Sequence, residues 1–450
     1  MDTIVALATP PGRSAIGLVR LSGPSVREIL RALVADQIDF AAAHPLLRNI
    51  VDPRTGDLLD RSIVTYFAAP RSFTGEDVLE ISCHGSPLIL RRLIDAAIYL
   101  GARLADPGEF TLRALGNGKM NLSQAEAIRD LINARSDAAL RQAFRQMNGE
   151  LARRLQPFKD QLVALIVRFE SAIEFVEDDL PQVETNRVVK ALQTLIADIS
   201  SLAATFDAGH LVRDGVKVTV TGSPNAGKSS IFNRLLGLDR SIVTAVPGTT
   251  RDTLSETTTI GGMPVTFTDT AGIRETKDEI ERLGVSRTER AMGDADLLLV
   301  VIDGSIEIQP DDLELLRKTE DRRRVLALNK SDLAEFSNHL TDRVNGHSPT
   351  VVVSAKTGAG VDQLQQEIVS QFASLDEHEG LLITDARHYD LLSRTRDELE
   401  STARLIKSGT GEEIVLTGLH NALRLLDEIT GETTTEDILT QIFLTFCIGK

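Results

Sequence analysis

The sequence has few of the groups that build disulfide-stapled, zinc-binding or membrane-spanning proteins. Only two cysteines, Cys83 and Cys447, occur in 450 residues. They cannot form a disulfide framework or by themselves fill a tetrahedral zinc site, which indicates a reducing compartment. No apolar run approaches the ~20 residues of a membrane helix, and the start, MDTIVALATPPGR, lacks the basic and apolar regions of a signal peptide. We therefore expect a cytoplasmic protein that does not contact a membrane.

A surplus of positive charge is also absent. The chain has 49 Lys and Arg against 65 Asp and Glu, a net charge of −16. This balance argues against a protein that binds phosphate backbones on its own. Residues 1–120 contain 13 basic and 13 acidic residues, so the negative surplus lies downstream. Any nucleic acid must therefore meet a local patch or a partner.

The patterns that are present predict a multidomain α/β protein. With 42% hydrophobic and 25% charged residues the chain is an ordinary globular one, and its length suits two to four domains. Residues 1–118 alternate β-branched stretches with turns and with helical runs near 25–34 and 87–100, which predicts an α+β domain. Residues 119–212 and 375–450 show helical periodicity, whereas 213–374 show apolar strands separated by helices, typical of a parallel sheet. We predict an α/β domain inserted in a helical one.

Two local patterns refine the helical part. Ser123 followed by Glu126 predicts a capping box at the start of a helix. Eight apolar residues further on share one side of a helix, as a bundle requires. They are Leu151, Leu155, Phe158, Leu162, Leu165, Phe169, Ile173 and Val176.

The strongest motif is GSPNAGKS, Gly222 to Ser229, between the strand VKVTV and the helical run SIFNRLLG. Gly222 and Gly227 let successive backbone N–H groups point at phosphate oxygens, beside the positive end of the following helix. Lys228 adds a charge for the β and γ phosphates and Ser229 a hydroxyl for Mg²⁺. The alternative, a chance glycine turn, does not explain the flanking strand and helix. The motif predicts a P-loop.

Two further strand ends indicate which base is bound. Asn329, Lys330 and Asp332 follow the strand VLAL, and Ser354, Ala355 and Lys356 follow the strand VVV. Asp332 can accept two N–H groups from guanine, and the Ala355 N–H can meet the guanine carbonyl oxygen. Adenine offers no such pair of donors, and leaving a buried carboxylate unpaired discriminates strongly. The sequence therefore predicts GTP.

Between these elements lie the predicted γ-phosphate contacts. Asp269, at the end of the strand VTFT, is placed in the second shell of Mg²⁺, and the Gly272 N–H is placed near the γ-phosphate. Thr250 is the predicted second Mg²⁺ ligand, in a switch that orders with GTP. The remaining predicted GTP contacts are Asn225, Ala226, Ser230, Gly248, Thr249, Thr270 and Ala271.

The usual catalytic groups are replaced. Ile273 stands where Ras-like enzymes have a water-orienting Gln. Either the chain is a slow switch, or one of four nearby acids orients the water, each of which can equally be a solvated surface charge; they are Glu275, Asp278, Glu279 and Glu281. No arginine finger is evident. Asn225, within the P-loop, can offer its carbonyl oxygen to a monovalent cation beside the β and γ phosphates, or it can simply pack the loop.

With these motifs the whole chain resembles the MnmE (TrmE) family of bacterial tRNA-modification GTPases. The specific marks are PPGR (Pro10 to Arg13), FTGEDVLE (Phe73 to Glu80), PGEFTLRA (Pro107 to Ala114) and the terminal CIGK (Cys447 to Lys450). The resemblance implies an α+β tetrahydrofolate-binding and dimerisation domain, a helical-bundle domain, and a Ras-like P-loop GTPase domain inserted in the helical one.

The resemblance also implies how the GTPase works. It implies K⁺ activation, with Mg²⁺ held by Ser229 and Thr250 and with Glu281 orienting the water. The G domains of a homodimer are implied to meet across their nucleotides, which couples hydrolysis to a domain motion. The implied K⁺ ligands are Asn225, Thr244, Val246 and Thr249. Thr244, Ala245, Val246 and Pro247 are implied GTP contacts as well.

A folate site and a partner protein are implied as well. The family positions for 5-formyltetrahydrofolate fall on Arg20, Glu80, Lys119 and Lys450. The basic groups suit the glutamate tail of folate, and the carboxylate suits the pterin N–H donors. The family works with the FAD-dependent protein MnmG, in a heterotetramer, to place a carboxymethylaminomethyl or aminomethyl group on C5 of the wobble uridine, position 34, of certain tRNAs. This chain has no G-x-G-x-x-G after a strand, so the flavin belongs to the partner, and tRNA is expected to bind mainly through the complex.

Three alternatives stay open at this point. Cys447 is either an apolar filler on a helix or a thiol near the one-carbon site. The chain can be a ribosome-assembly GTPase, although a basic domain with a GXXG loop would then be expected after the G domain. It can also be a folate-dependent aminomethyl transferase that merely carries a G domain.

Overall fold

A computed structural model gives the fold of the chain. It describes residues 2–34, 42–174, 185–237, 255–269, 292–337, 348–372, 380–433, 439, 442–446 and 449. Two compact units are present, and we call them unit 1 and unit 2. Unit 1 consists of Met1–Asn133, Ala143–Ser200 and Asp390–Lys450, and unit 2 of Ala134–Gln142 and Ser201–Tyr389.

Unit 1 begins with a sheet and three helices. The strands are β1 (Ile4–Leu7), β2 (Ser14–Ser22), β3 (Leu46–Val51), β4 (Leu58–Phe67), β5 (Val78–Gly85) and β6 (Arg103–Leu104), and the helices are α1 (Val26–Leu33), α2 (Pro87–Tyr99) and α3 (Glu109–Gly116). The strand order is β3-β4-β5-β2-β1-β6. All neighbours are antiparallel except β1 and β6. The two predicted early helical runs are confirmed as α1 and α2, whereas β3 and β6 were not predicted.

One face of this sheet forms the core of the α+β part. Val19 of β2 and Ile81 of β5 point to the same side, because they are paired directly opposite each other, and they belong to one apolar cluster with Leu30 of α1 and Leu93 of α2. Cys83 lies in the same cluster, and burial raises the pKa of its thiol to about 11. A thiol with so high a pKa stays protonated and unreactive at neutral pH.

Helices follow this sheet in the chain. They are α4 (Leu122–Asn133), α5 (Asp137–Met147), α6 (Glu150–Glu174), α7 (Thr185–Ala204) and α8 (Phe206–Asp214). The predicted apolar side of α6 is confirmed from Leu151 to Phe169, since its six residues are at most 9% exposed. Ile173 is half-buried, and Val176 lies outside the described residues.

The predicted capping box of α4 is wrong by two residues. Asn121, not Ser123, caps the helix, because the Gln124 N–H donates to Asn121 Oδ1 over 2.9 Å. The Gln124 side chain returns the bond by accepting the Asn121 N–H over 3.0 Å. The Ser123 hydroxyl instead donates to Asn121 Oδ1. An Asn and Gln pair thus plays the part that the sequence pattern assigned to Ser123 and Glu126.

Unit 2 contains a second sheet, which is mainly parallel as predicted. Its strands are β7 (Val216–Gly222), β8 (Ser255–Ile260), β9 (Met263–Asp269), β10 (Leu297–Asp303), β11 (Arg324–Asn329) and β12 (Thr350–Val352), with helices α9 (Lys228–Gly237), α10 (Pro310–Lys318) and α11 (Val361–Ser370). The order is β12-β11-β10-β7-β9-β8. Only the edge strand β8, which was not predicted, runs antiparallel to its neighbour β9.

The central strands of unit 2 are buried on both faces. In β10 the residues alternate between two apolar clusters: Leu299 and Val301 face one, and Leu298 and Val300 face the other. Helices α9 and α11 contribute Phe232 and Leu364 to the first of these clusters. Continuous apolar strands are expected when helices cover both faces of a parallel sheet.

The last two helices are α12 (Ala386–Lys407) and α13 (Glu412–Thr430). The contact between α13 and α6 in unit 1 includes a buried cation, since Lys159 is 6% exposed. Its Nζ lies 2.7 Å from Asp427 Oδ1 and 3.0 Å from Glu432 Oε1. Two carboxylates near the end of α13 therefore neutralise the buried lysine, which would otherwise be costly.

One helical stretch is more apolar than the sequence pattern indicated. Residues Asn186–Asp214, which span α7 and α8, contain an 18-residue window of mean hydropathy 1.2, enough by length and composition to cross a membrane. That window is 39% buried inside the protein. Leu192, Leu195 and Ile199 in this stretch are fully buried. A core helix of a protein interior passes the same test.

An ion pair joins α8 to the start of β10 in unit 2. The Asp296 carboxylate lies 4.0 Å from His210 Nε2 and accepts the Lys217 N–H over 2.8 Å. The neighbouring carboxylate raises the pKa of His210, against a smaller opposing effect of burial. Burial alone raises the pKa of Asp296, but the His210 and Lys217 contacts bring it below its usual value.

We expect His210→Gln to destabilise the protein only in a defined pH window. Because the pKa of His210 is raised, its contribution to the free energy of unfolding is complete below pH 6.5 and is lost as the pH rises through the raised pKa. Because the pKa of Asp296 is lowered, its contribution to the free energy of unfolding is complete above pH 3.8 and is lost as the pH falls through the lowered pKa. Denaturant titrations should show that the variant loses about 0.5–1 kcal/mol of unfolding free energy near pH 5.5. The loss should be smaller at pH 8. The exposed His44→Gln is the control, and an equal loss at both pH values would contradict the ion pair.

Candidate functional site

The predicted nucleotide-binding residues of unit 2 gather at one edge of its sheet. In the strand pairing Gly222 lies opposite Val301, and Asp303 lies opposite Asn329. Asp269 ends β9 beside Val220 of β7. The carboxyl ends of parallel strands meet at the same edge, which is where ligands bind in open α/β sheets.

Glycines let the P-loop fold against this edge. Gly222 has φ +153°, and a Cβ there would lie 2.2 Å from the Val301 carbonyl oxygen. Gly227 has φ +94°, and a Cβ there would lie 2.2 Å from Asn329 Nδ2. Asn225 also has a left-handed backbone, with φ +64°. Asn tolerates this conformation better than most residues, so the loop curls tightly before α9 begins at Lys228.

The lysine of the loop is bound to the loop itself. Lys228 Nζ donates to the Ser223 carbonyl over 2.9 Å. The Ser223 hydroxyl donates to the carboxylate of Asp312, which is 4% exposed. The same carboxylate accepts the Gln309 N–H over 3.1 Å and so caps α10. Asp312 thereby ties the P-loop to a neighbouring helix.

Asn329 links the P-loop to the base-recognition loop. It is 2% exposed, its Nδ2 donates to the Ala226 carbonyl over 2.9 Å, and its Oδ1 accepts the Ala355 N–H over 3.0 Å. Both ends of the amide are therefore used, as a buried polar side chain requires. The Ala355 N–H, the predicted partner of the guanine carbonyl oxygen, is held by Asn329 in this structure.

Two carboxylates at this edge are kept ionised. The Ser354 hydroxyl donates to Asp332 Oδ1 over 2.6 Å, and this bond holds the pKa of Asp332 below its usual range. Burial alone raises the pKa of Asp303, but the Lys330 ammonium at 2.5 Å and Ser305 bring it below its usual value. An ionised carboxylate at position 332 is the state that can accept two N–H groups.

These residues enclose a cavity of about 390 Å³. That volume lies within the usual range of small-ligand sites. Its lining combines the P-loop and α9 with the two base-recognition strand ends. The lining residues are Gly227, Ser230, Asn329, Lys330, Asp332, Leu333, Ala355 and Lys356.

Three contributors were missed by sequence reasoning. Asp303 pairs with Lys330, Asp312 holds Ser223, and Arg234 of α9 donates to the carbonyls of the loop after β12. Asp303 ends an apolar strand, and that position could have indicated it. Asp312 and Arg234 act across the fold, so no local pattern indicates them.

The predicted folate residues lie in unit 1. Arg20 and Glu80 are opposite each other on β2 and β5, and Arg20 Nη2 donates to Glu80 Oε1 over 2.7 Å. The Arg20 guanidinium also lies 5.9 Å from the ring centres of Phe73 and Phe110. Arg20 Nη1 donates to the Gly449 carbonyl over 3.2 Å. The C-terminal segment therefore reaches this pair.

The other predicted folate residue with described contacts is Lys119. Its Nζ donates to the Pro70 carbonyl over 2.7 Å. Pro70 and Phe73 belong to the same loop between β4 and β5, so this loop connects Lys119 with the Arg20 pair through the chain.

Several predicted site residues lie outside the described residues. They are Thr244, Ala245, Val246, Pro247, Gly248, Thr249, Thr250, Thr270, Ala271, Gly272, Glu281, Cys447 and Lys450, with Ile273, Glu275, Asp278 and Glu279 of the catalytic discussion.

Family models and known relatives match the chain from end to end. A model described as the MnmE helical domain matches residues 122–447, and one described as the GTP-binding protein TrmE N-terminus matches residues 3–119. The tRNA modification GTPase MnmE of Koribacter versatilis (strain Ellin345) is 43% identical over 456 residues, which cover 100% of this chain and 99% of the relative. That of Aquifex aeolicus (strain VF5) is 41% identical over 451 residues, which cover 100% of each chain.

Among solved structures, the G domain of the T. maritima FeoB iron transporter is 29% identical, covering 35% of this chain and 98% of its own, with a TM-score of 0.27. The first family model thus spans the helices on both sides of the α/β part, and the second spans the α+β part. The two relatives share one name, and the chain covers 99% and 100% of their length. The chain belongs to the MnmE family.

Proposed function

We propose that the chain is a GTP hydrolase that takes part in tRNA modification. The observation that carries the proposal is the cavity at the carboxyl edge of the unit 2 sheet, where the P-loop and the guanine-recognition residues face one space. The relatives are named tRNA modification GTPase MnmE, which supports both GTP as the substrate and a role in tRNA modification.

In the proposed complex each group has a physical role. The P-loop amides and Lys228 hold the phosphates, and Lys228 exchanges the Ser223 carbonyl for phosphate oxygens. The Asp332 carboxylate accepts the guanine N–H donors, and the Ala355 N–H, which donates to Asn329 Oδ1 in this structure, donates to the guanine carbonyl oxygen as well, in a three-centre bond. Because Asp332 and Ala355 follow directly on buried strands, their groups are positioned before the nucleotide binds, which lowers the ordering cost of binding.

The described residues suit a magnesium ion. The Ser229 hydroxyl lies in the first turn of α9. Asp269, which is 3% exposed, ends β9, the strand that pairs with β7. Oxygen donors of this kind are the ligands that Mg²⁺ prefers. We propose Ser229 and Thr250 as its protein ligands. The bound ion would neutralise charge on the β and γ phosphates.

A potassium ion is proposed beside Asn225. The left-handed backbone of Asn225 turns this residue within the curled P-loop, where an amide carbonyl oxygen can serve as a ligand. We propose Thr244, Val246 and Thr249 as the other ligands and Glu281 as the group that orients the water. The bound ion would supply the positive charge that an arginine finger gives other GTPases.

The Arg20 and Glu80 pair is proposed to bind 5-formyltetrahydrofolate or a related tetrahydrofolate. A carboxylate paired with a guanidinium that lies near the ring of Phe73 suits a flat pterin with N–H donors and an anionic tail. Lys119 and Lys450 are proposed to contact the same ligand, and Cys447 is proposed to lie near its one-carbon unit. Gly449, next to Lys450, already accepts a hydrogen bond from Arg20.

We further propose a cytoplasmic homodimer that joins FAD-dependent MnmG in a heterotetramer. The complex would install a carboxymethylaminomethyl or aminomethyl group on C5 of wobble uridine 34, using the tetrahydrofolate one-carbon unit. Nucleotide-driven pairing of the G domains would couple hydrolysis to a conformational change. The net charge of −16 favours tRNA being held mainly by the partner.

Wobble nucleosides measured by mass spectrometry test the assigned reaction. In cells that lack this chain, we expect the C5-modified wobble uridine to disappear from tRNA. Expression of the wild-type chain should restore it, and Glu80→Gln should restore roughly a tenth or less, because a neutral amide loses the charge-assisted bonds.

The control variant is Glu400→Gln, an exposed position on α12, which should restore the nucleoside fully. Unaltered nucleosides in the cells that lack the chain would contradict a role in tRNA modification and favour another GTPase function. Full restoration by Glu80→Gln would contradict only the folate proposal.

We expect GTP turnover to be roughly tenfold or more faster in KCl than in NaCl at equal ionic strength, because an electrostatic group beside the transferred phosphoryl lowers the barrier. Phosphate release measures the rate. Asn225→Ala should bring the rate in KCl down to the rate in NaCl. Equal wild-type rates in the two salts would remove the cation from the mechanism.

A further inference from the structure

Helix α9 carries a side chain that reaches the base-recognition loop. Its first residue, Lys228, belongs to the P-loop, and Arg234 lies six residues further on, about 9 Å along the helix axis. Arg234 is half-buried, and it points to the loop after β12 that contains Ala355. The same helix thus touches the predicted phosphate contacts at its start and the predicted base contacts near its end.

The guanidinium holds two successive carbonyl groups of that loop. Arg234 Nε donates to the Ala355 carbonyl over 3.2 Å, and Nη2 donates to the Lys356 carbonyl over 2.7 Å. Gly358, with φ +90°, lies beside the guanidinium, since a Cβ there would be in ordinary contact with Arg234 Cζ at 3.6 Å. Both bonds have a charged donor, so they are stronger than bonds between neutral groups.

These two bonds orient the Ala355 amide. On the side before Ala355, the Ser354 hydroxyl donates to Asp332 Oδ1, and within the loop's own turn the Gly358 N–H donates to the Ser354 carbonyl over 2.8 Å. Asn329 Oδ1 fixes the peptide before Ala355, and Arg234 fixes the two peptides after it. Beyond Ala355, Arg234 therefore supplies the close hydrogen bonds from outside the loop, next to a longer ion pair of 3.9 Å between Lys356 Nζ and Asp332 Oδ2.

We infer that Arg234 is a positioning residue that sets the preference of the site for the 6-oxo group of guanine. By holding the carbonyls of Ala355 and Lys356, Arg234 fixes the direction in which the Ala355 N–H points. This inference rests on the proposed function, in which that N–H meets the guanine carbonyl oxygen. A lysine could not replace it fully, because an ammonium lacks the planar fork that holds two acceptors in fixed positions.

Equilibrium binding of three diphosphates in the presence of magnesium tests the inference on the full chain. GDP is the reference, 6-thio-GDP replaces the 6-oxo group with a poorer acceptor, and IDP lacks the 2-amino group that Asp332 binds. The wild-type chain should prefer GDP to both analogues, by roughly fivefold or more in each case.

Arg234→Ala should weaken GDP binding roughly fivefold to tenfold and leave 6-thio-GDP within about twofold of its wild-type affinity. The preference for GDP over IDP should stay unchanged, because Asp332 keeps its bond from Ser354. The affinity of Arg234→Lys for GDP should lie between those of the wild type and Arg234→Ala. Arg317→Ala, at an exposed arginine of α10, is the matched control and should bind all three ligands as the wild type does.

Equal weakening of all three ligands by Arg234→Ala would overturn the inference in favour of a general packing role. Unchanged binding of all three would overturn it as well. Failure of the proposed function gives a different result, since the wild-type chain itself would then show no preference for GDP over IDP. The intermediate behaviour of Arg234→Lys separates loss of positioning from misfolding, because that variant keeps the charge and the helix.

Discussion

The buried amide of Asn329 is the contact on which the nucleotide site depends. It joins the Ala226 carbonyl of the P-loop to the Ala355 N–H of the base-recognition loop. A residue that lacked either end of this amide would leave a buried polar group unpaired, at a cost of about 1–3 kcal/mol. The close approach is possible only because Gly227 has no side chain, since a Cβ there would lie 2.2 Å from Asn329 Nδ2.

From this link the geometry of the site follows. The parallel strands bring Gly222, Asp303 and Asn329 to one edge, and apolar residues on both faces fix the strands in place. Side chains from helices then hold the loops: Asp312 of α10 holds Ser223, and Arg234 of α9 holds the loop after β12. The loops carry the predicted ligand contacts, and the sheet keeps them at fixed distances.

Much of this arrangement could be predicted from the sequence because its signals are local. Apolar strands followed directly by GSPNAGKS or by Asn329 and Asp332 indicate both the sheet and the edge where a ligand binds. Side-chain contacts between distant elements leave no such signal, which is why Asp312 and Arg234 were missed. The edge strand β8, SETTTI, was missed because a run of threonines lacks the apolar pattern of a buried strand. The Ser123 capping box was wrong because Asn121, two residues earlier, caps equally well and has Gln124 as its partner.

The most direct test of the account is the nucleotide specificity of Asp332→Asn in the presence of magnesium. The account predicts that the wild-type chain binds GDP far more tightly than xanthosine diphosphate. In the variant the order should reverse, because an amide N–H can donate to the 2-oxo group of xanthine but cannot accept two N–H groups of guanine. Undiminished GDP binding by the variant, or absence of GDP binding by the wild type, would contradict guanine recognition at this edge of the sheet.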